Sequence, residues 1–131
     1  MRCALESKAL RKCIANATSE WEEKLVLVHH RMTKLSGDRS DHFEREHKNF
    51  HMALIENCQS PLLMRFCSQL YDLNIRYRYL AGRSNSYQGR GIEDEHRQIM
   101  DAAINAESDT AVALLVSHYE KTGDYQKTFI E

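Results

Sequence analysis

Apolar residues recur every three to four positions along nearly the whole chain, and no stretch alternates apolar with polar at the strand period. That pattern predicts helices throughout. A first helix over about Arg2 to Asn16 carries Leu5, Ala9, Leu10, Cys13 and Ile14 on its inner stripe, and Thr18 with Ser19 interrupts it. Ser19 with Glu22 is a capping-box pattern that opens a second helix to about Leu35, with Trp21, Leu25, Val28 and Met32 inward. A polar loop, 36–40, follows. Asp41 with Glu44 repeats the capping box, and a third helix reaches about Asn57 with Phe43, His47, Phe50, His51 and Leu54 on one face.

A turn through Cys58 and Gln59 leads to Ser60 as N-cap and Pro61 at the first helical position, where the missing N–H removes no hydrogen bond. The fourth helix is expected to run to about Ala81, burying Leu63, Phe66, Cys67, Leu70, Leu73 and Tyr77. Residues 82–90 have loop composition. A fifth helix over about Gly91 to Asn105 turns His96, Ile99, Met100 and Ala103 inward. Ser108 or Asp109 caps a sixth, with Val112, Leu114, Leu115 and His118 inside, and beyond Gly123 that helix either continues or frays. With no internal repeat, the expected fold is all-α, a single antiparallel bundle of about six helices.

Composition narrows the function classes. The 131 residues fit one domain, and one proline with five glycines suits a helical chain. Eighteen basic and nineteen acidic residues leave a net charge of −1, which supplies no footprint for DNA or an anionic membrane. There is no membrane-length apolar run and no signal peptide, so a soluble, cytoplasmic chain is expected. Cys3, Cys13, Cys58 and Cys67 form no C-x-x-C pair and read as reduced structural thiols, not as zinc ligands.

The histidines carry the chemistry. His47 and His51, four residues apart, place two imidazoles on one helix face at a spacing that can grip a divalent ion. His96 and His118 fall inward on two further helices. Burying unpaired imidazoles costs free energy, so three helices presenting them inward ask for a shared partner, unless each is satisfied separately by a carbonyl or carboxylate. Imidazole suits Zn²⁺, Ni²⁺, Cu²⁺ or Fe²⁺. Glu46 and Glu95, adjacent to two of these histidines, are candidate acceptors for ring N–H groups, whereas His29, His30 and His42 receive no role. Arg2, one turn before Glu6, and Arg78, one turn after Asn74, read either as surface charges or as forks for a carboxylate ligand.

Arg2-x-x-Leu5-Glu6-x-x-Ala9, His47-x-x-Phe50-His51-x-Ala53-Leu54, Ser60-Pro61-Leu62-Leu63, Glu95-His96 and Ala113 to His118 resemble, in order, the FCD ligand-sensing domain of GntR-type bacterial transcription regulators (FadR subfamily). Leu70-Tyr71-Asp72 and Arg76-Tyr77-Arg78 look like the branch that includes the carbon-starvation-induced regulator. The resemblance implies a dimeric helical domain whose central cavity holds a metal and a small organic acid, a mono- or dicarboxylate, and it implies no enzyme. Carried over by position, the metal ligands are His47, His51, His96 and His118, with Arg2, Asn74 and Arg78 for the acid. Zinc is placed first and nickel second. Most members have Asp where this chain has His47, so an all-imidazole site carries one less negative charge. The resemblance also implies that DNA is read only through an N-terminal winged helix-turn-helix, and residues 1–131 are expected to be the sensor without it. The alternative is a small helical metallohydrolase, which lacks an obvious general base and an H-E-x-x-H motif.

Overall fold

A computed structural model describes the backbone of residues 2–35, 41–81 and 92–130, and the side chains of residues 3–35, 42–73 and 94–120. Its helices are α1 (Arg2–Ala15), α2 (Ser19–Lys34), α3 (Asp41–Ile55), α4 (Pro61–Ala81), α5 (Ile92–Ile104) and α6 (Ser108–Ile130), with a short 3₁₀ turn at Glu56–Cys58. No strand occurs among the described residues, so the chain is the all-α bundle that the apolar period predicts. The chain after Gly123 continues as helix. The expected loop at 82–90 and the side chain of Tyr77 lie outside the described residues.

Long-range pairs fix the directions of the helices. Trp21, early in α2, donates its indole N–H to the Ala53 carbonyl late in α3 (2.8 Å), which makes these neighbours antiparallel. Arg11 pairs with Asp109 at 2.7 Å and Glu6 with Tyr119, so α1 runs antiparallel to α6. The core between them holds Leu10, Cys13, Leu25, Phe50, Leu54, Ile55, Ile99 and Leu115, all essentially inaccessible to water.

Three local expectations need correction. The N-cap of α2 is Thr18, whose side chain accepts the Trp21 N–H at 3.1 Å, and Ser19 is already helical. Helix α6 likewise begins at Ser108, because α5 closes with Glu107 N–H on the Ala102 carbonyl (2.9 Å) and Ala106 N–H on Ala103 (3.2 Å). Glu107 then accepts the Ala111 N–H directly (2.8 Å), leaving no separate capping residue at Ser108 or Asp109. The third concerns the rotation of α4. Cys67 and Tyr71 are buried and Leu63 and Leu70 half-buried, whereas Phe66 is 47% and Leu73 51% exposed. Apolar residues lie on both sides of this helix, so periodicity alone does not say which side meets α3. By contrast, Ser60 caps α4 as expected, accepting the Leu63 N–H at 3.2 Å.

Candidate metal centre

The Phe50 side chain anchors α3 in the core, and the residues three before it and one after it, His47 and His51, are 2% and 1% exposed. Helix α5 brings His96 to them, and α6 brings His118. His47 Nε2 lies 3.2 Å from His96 Nε2 and 3.1 Å from His51 Nε2. One ligand nitrogen from each of His47, His51 and His96 falls within 4.8 Å of the others.

What surrounds the rings decides their tautomers. Tyr119 donates its hydroxyl hydrogen to Glu6 Oε1 (2.7 Å), so its oxygen is left to accept from His51 Nδ1 at 3.0 Å. His51 is therefore assigned a hydrogen on Nδ1 and a lone pair on Nε2. His118 Nδ1 faces the Glu95 carboxylate at 2.7 Å, which places its hydrogen there. His47 Nδ1 has Tyr71 Oη at 2.9 Å and the Glu44 carboxylate at 3.7 Å, and that negative charge favours a hydrogen on the same nitrogen. The outer nitrogens of His47, His51 and His118 thus each have an oxygen partner, which leaves their Nε2 lone pairs free to face inward. This is the outer-partner arrangement that orients metal-bound imidazoles.

The donor set fits a cation. Zinc–nitrogen bonds of about 2.0–2.1 Å in a tetrahedron separate two ligand nitrogens by about 3.4 Å, close to the observed 3.1 and 3.2 Å. A cation at the centre converts mutually repelling lone pairs into ligands. The three buried histidines can therefore hold a metal ion. His118 stands against the same group, its ring centroid 4.7 Å from His96 and stacked on His51 at 5.6 Å. It is not among the nitrogens that all fall within 4.8 Å of one another.

Of the two carboxylates considered from sequence, Glu95 takes a ring partner, whereas Glu46 has a buried Oε2 that accepts no hydrogen bond. The His47 ring is served instead by Tyr71 and Glu44. Tyr71, Tyr119 and Glu6 are the site residues that sequence reasoning missed. Their signal is phase: Tyr71 follows Cys67 by four, Tyr119 follows Leu115 by four, and Glu6 precedes Leu10 by four, each a polar group on a buried stripe. His30 and His42 are exposed, in keeping with their having no role. The side chains of Arg2, Asn74 and Arg78 lie outside the described residues.

Cys13 and Cys58 are free, buried thiols, and burial pushes the Cys13 thiol up to about 12. No helix among the described residues is long and apolar enough to cross a membrane.

Comparison with known proteins agrees with this architecture. A family model described as the FCD domain matches residues 1–121. The chain is 33% identical over 129 residues to the uncharacterized HTH-type transcriptional regulator BphR of Paraburkholderia xenovorans (strain LB400), covering 92% of this chain and 52% of that protein. It is 32% identical over 119 residues to the HTH-type transcriptional repressor GlaR of Escherichia coli (strain K12), covering 86% of this chain and 54% of that protein. No solved structure matches. The chain spans about half the length of the curated relatives it matches. Its ordered motifs, its helical bundle and these matches agree: the chain belongs to the FCD domain family of GntR-type transcriptional regulators, a regulatory and not an enzymatic family.

Proposed function

We propose that this domain is a metal-dependent sensor of a small organic acid, a mono- or dicarboxylate, and that acid binding alters how a homodimer engages DNA. The observation that carries the reading is the convergence of the His51 and His96 Nε2 atoms on His47 Nε2, at 3.1 and 3.2 Å, with oxygen partners behind the His47 and His51 rings. His118, aligned by Glu95, is the fourth ligand of this reading. Zinc is the favoured ion and nickel the alternative, since neutral imidazoles suit both.

Four neutral imidazoles leave the full charge of a divalent ion uncompensated by its ligands. An anionic effector supplies that charge, with a carboxylate oxygen on the metal and the rest of the acid held by Arg2, Asn74 and Arg78. The metal, when bound, contributes Lewis acidity and a fixed attachment point. The chain's own residues orient the rings, exclude water and confer the shape that selects the acid. Binding switches anything only if the acid prefers one dimer geometry over another. DNA contact belongs to a helix-turn-helix outside this domain, as the names of the two relatives suggest, and such a regulator works in the cytoplasm.

The test is elemental analysis of untagged protein beside His51→Ala, followed by thermal shift with small carboxylates. About one transition metal per chain, lost in the variant, with carboxylate stabilisation only of the metal-loaded form, is the expected result. Absence of metal after reconstitution with Zn²⁺ and Ni²⁺ sinks the reading.

A further inference from the structure

Helix α2 buries Trp21, Leu25, Val28 and Met32 where it packs on α3 and α5, and its opposite side faces solvent. On that side Val26 and Leu27 are 47% and 46% exposed. A single exposed leucine is ordinary on a surface helix. Leu27 is set apart by what lies beside it, a hollow of about 480 Å³ lined by Glu22, Glu23, Val26, Leu27, His30 and Ile104. Positions 23, 26, 27 and 30 have the spacing of the four-residue hole that receives one side chain of a facing helix in knobs-into-holes packing. One copy of α2 therefore carries both a hole and, on its edge, a leucine knob that fits it.

We infer that this face docks α2 of a second copy, antiparallel and related by a two-fold axis beside Leu27, with each Leu27 seated in the other copy's hollow. Charge selects this occupant. In such a pair, facing residues lie equally far before and after Leu27, so Glu20 meets the partner's Lys34 and Glu23 meets the partner's Arg31. The symmetry makes each pair twice. At about 100° per residue, Glu20, Glu23, Leu27, Arg31 and Lys34 fall within about 80° of one another around the helix, and all five are exposed. Acids at the start and bases at the end of a helix also suit its macrodipole, but the macrodipole is indifferent to which side they occupy. None of the four charges takes an ion-pair partner among the described residues. A uniformly basic or acidic partner meets like charge at one end of α2, whereas the antiparallel copy presents the reversed order that suits both ends.

One helix of 16 residues per copy buries less than the roughly 1,200 Å² of a lasting interface. The contact is therefore a weak one, which acts between copies held close together. It uses no residue of the metal centre and stands apart from the sensor reading.

Oxidative trapping on the 131-residue chain tests the proposal. In a Cys3→Ser background, Leu27→Cys puts a thiol beside the two-fold axis, and copper phenanthroline in air joins two such thiols when α2 meets α2. The disulfide at position 27, mapped by mass spectrometry, is the readout, so a dimer held by any other face does not register. Cross-linking should be about tenfold or more faster than for Thr110→Cys, an exposed control on α6. Adding Glu20→Lys and Glu23→Arg to Leu27→Cys turns four attractive pairs into four repulsive ones and should slow the reaction about tenfold. Adding Arg31→Glu and Lys34→Glu instead should do the same. Mixing these two variants restores every pair, and the heterodimer should form at the original rate. Circular dichroism on each variant reads whether the helices are intact. Cross-linking no faster than the control, indifference to the charge reversals, or no recovery in the mixture overturns the proposal.

Discussion

Tyr119 and Glu6 sit 113 positions apart in the chain and share a hydrogen bond of 2.7 Å in the buried interior, with the Tyr119 oxygen 3.0 Å from His51 Nδ1. A carboxylate on α1 thereby orients an imidazole on α3 through a hydroxyl on α6. For the proposed metal site, this relay predicts that affinity responds to residues placed behind the ligating rings. Tyr119→Phe and Glu6→Gln should each lower zinc affinity by about 10- to 100-fold, read by chelator competition. Their combined effect should fall short of the sum of the two, since both act through the same ring. Equal zinc affinity in wild type and Tyr119→Phe would show that packing alone holds His51.

Trp21 ties α2 to α3 through its bond to the Ala53 carbonyl at 2.8 Å. Trp21→Phe keeps an aromatic ring but strands a buried acceptor and leaves a void. Denaturant unfolding should show a loss of about 2–4 kcal/mol, with the slope unchanged if the denatured state is unaffected.

Ala106 adopts φ of 60° where α5 ends, a left-handed conformation that its Cβ disfavours and that glycine adopts freely. The two bonds closing this turn keep it in place. Ala106→Gly should therefore stabilise the fold by about 0.5–1 kcal/mol, seen as a higher melting temperature. A lower one would mean that the greater unfolded-state entropy of glycine dominates.

Cys13 is fully buried, and desolvation raises its thiol from 9.0 to about 12. The thiol therefore stays protonated in the folded state while it ionises in the unfolded one. Its stabilising effect is complete below pH 9.0 and is lost progressively as pH rises toward about 12. Alkylation of Cys13 at neutral pH should require unfolding. Labelling of the native chain at this residue, followed by mass spectrometry, should be slower than at the partly exposed Cys3.

Helix positions were legible where one side of a helix is apolar and the other is not. In α2, Trp21, Leu25, Val28 and Met32 are all buried as their spacing predicts, because only one rotation of that helix hides them together. In α4 the same reasoning misplaces Phe66 and Leu73, since two apolar stripes offer two rotations of similar benefit. The choice between them falls to what α3 presents: His47 needs an oxygen behind its ring, and Tyr71 supplies it only when α4 is turned as observed.

Helical period and the burial of apolar side chains are properties of local order, so the bundle and the inward placement of His47, His51, His96 and His118 could be read along the chain. It also carried the ordered motifs of the family. Which atoms meet depends on how the helices pack. The Nε2 atoms of three histidines from two helices meet, and Tyr71, Tyr119 and Glu6 stand behind the His47 and His51 rings. A hydrogen bond demands placement within a few tenths of an ångström, whereas an apolar period specifies only a face. That difference in required precision separates what could be read along the chain from what the packing of its helices had to supply.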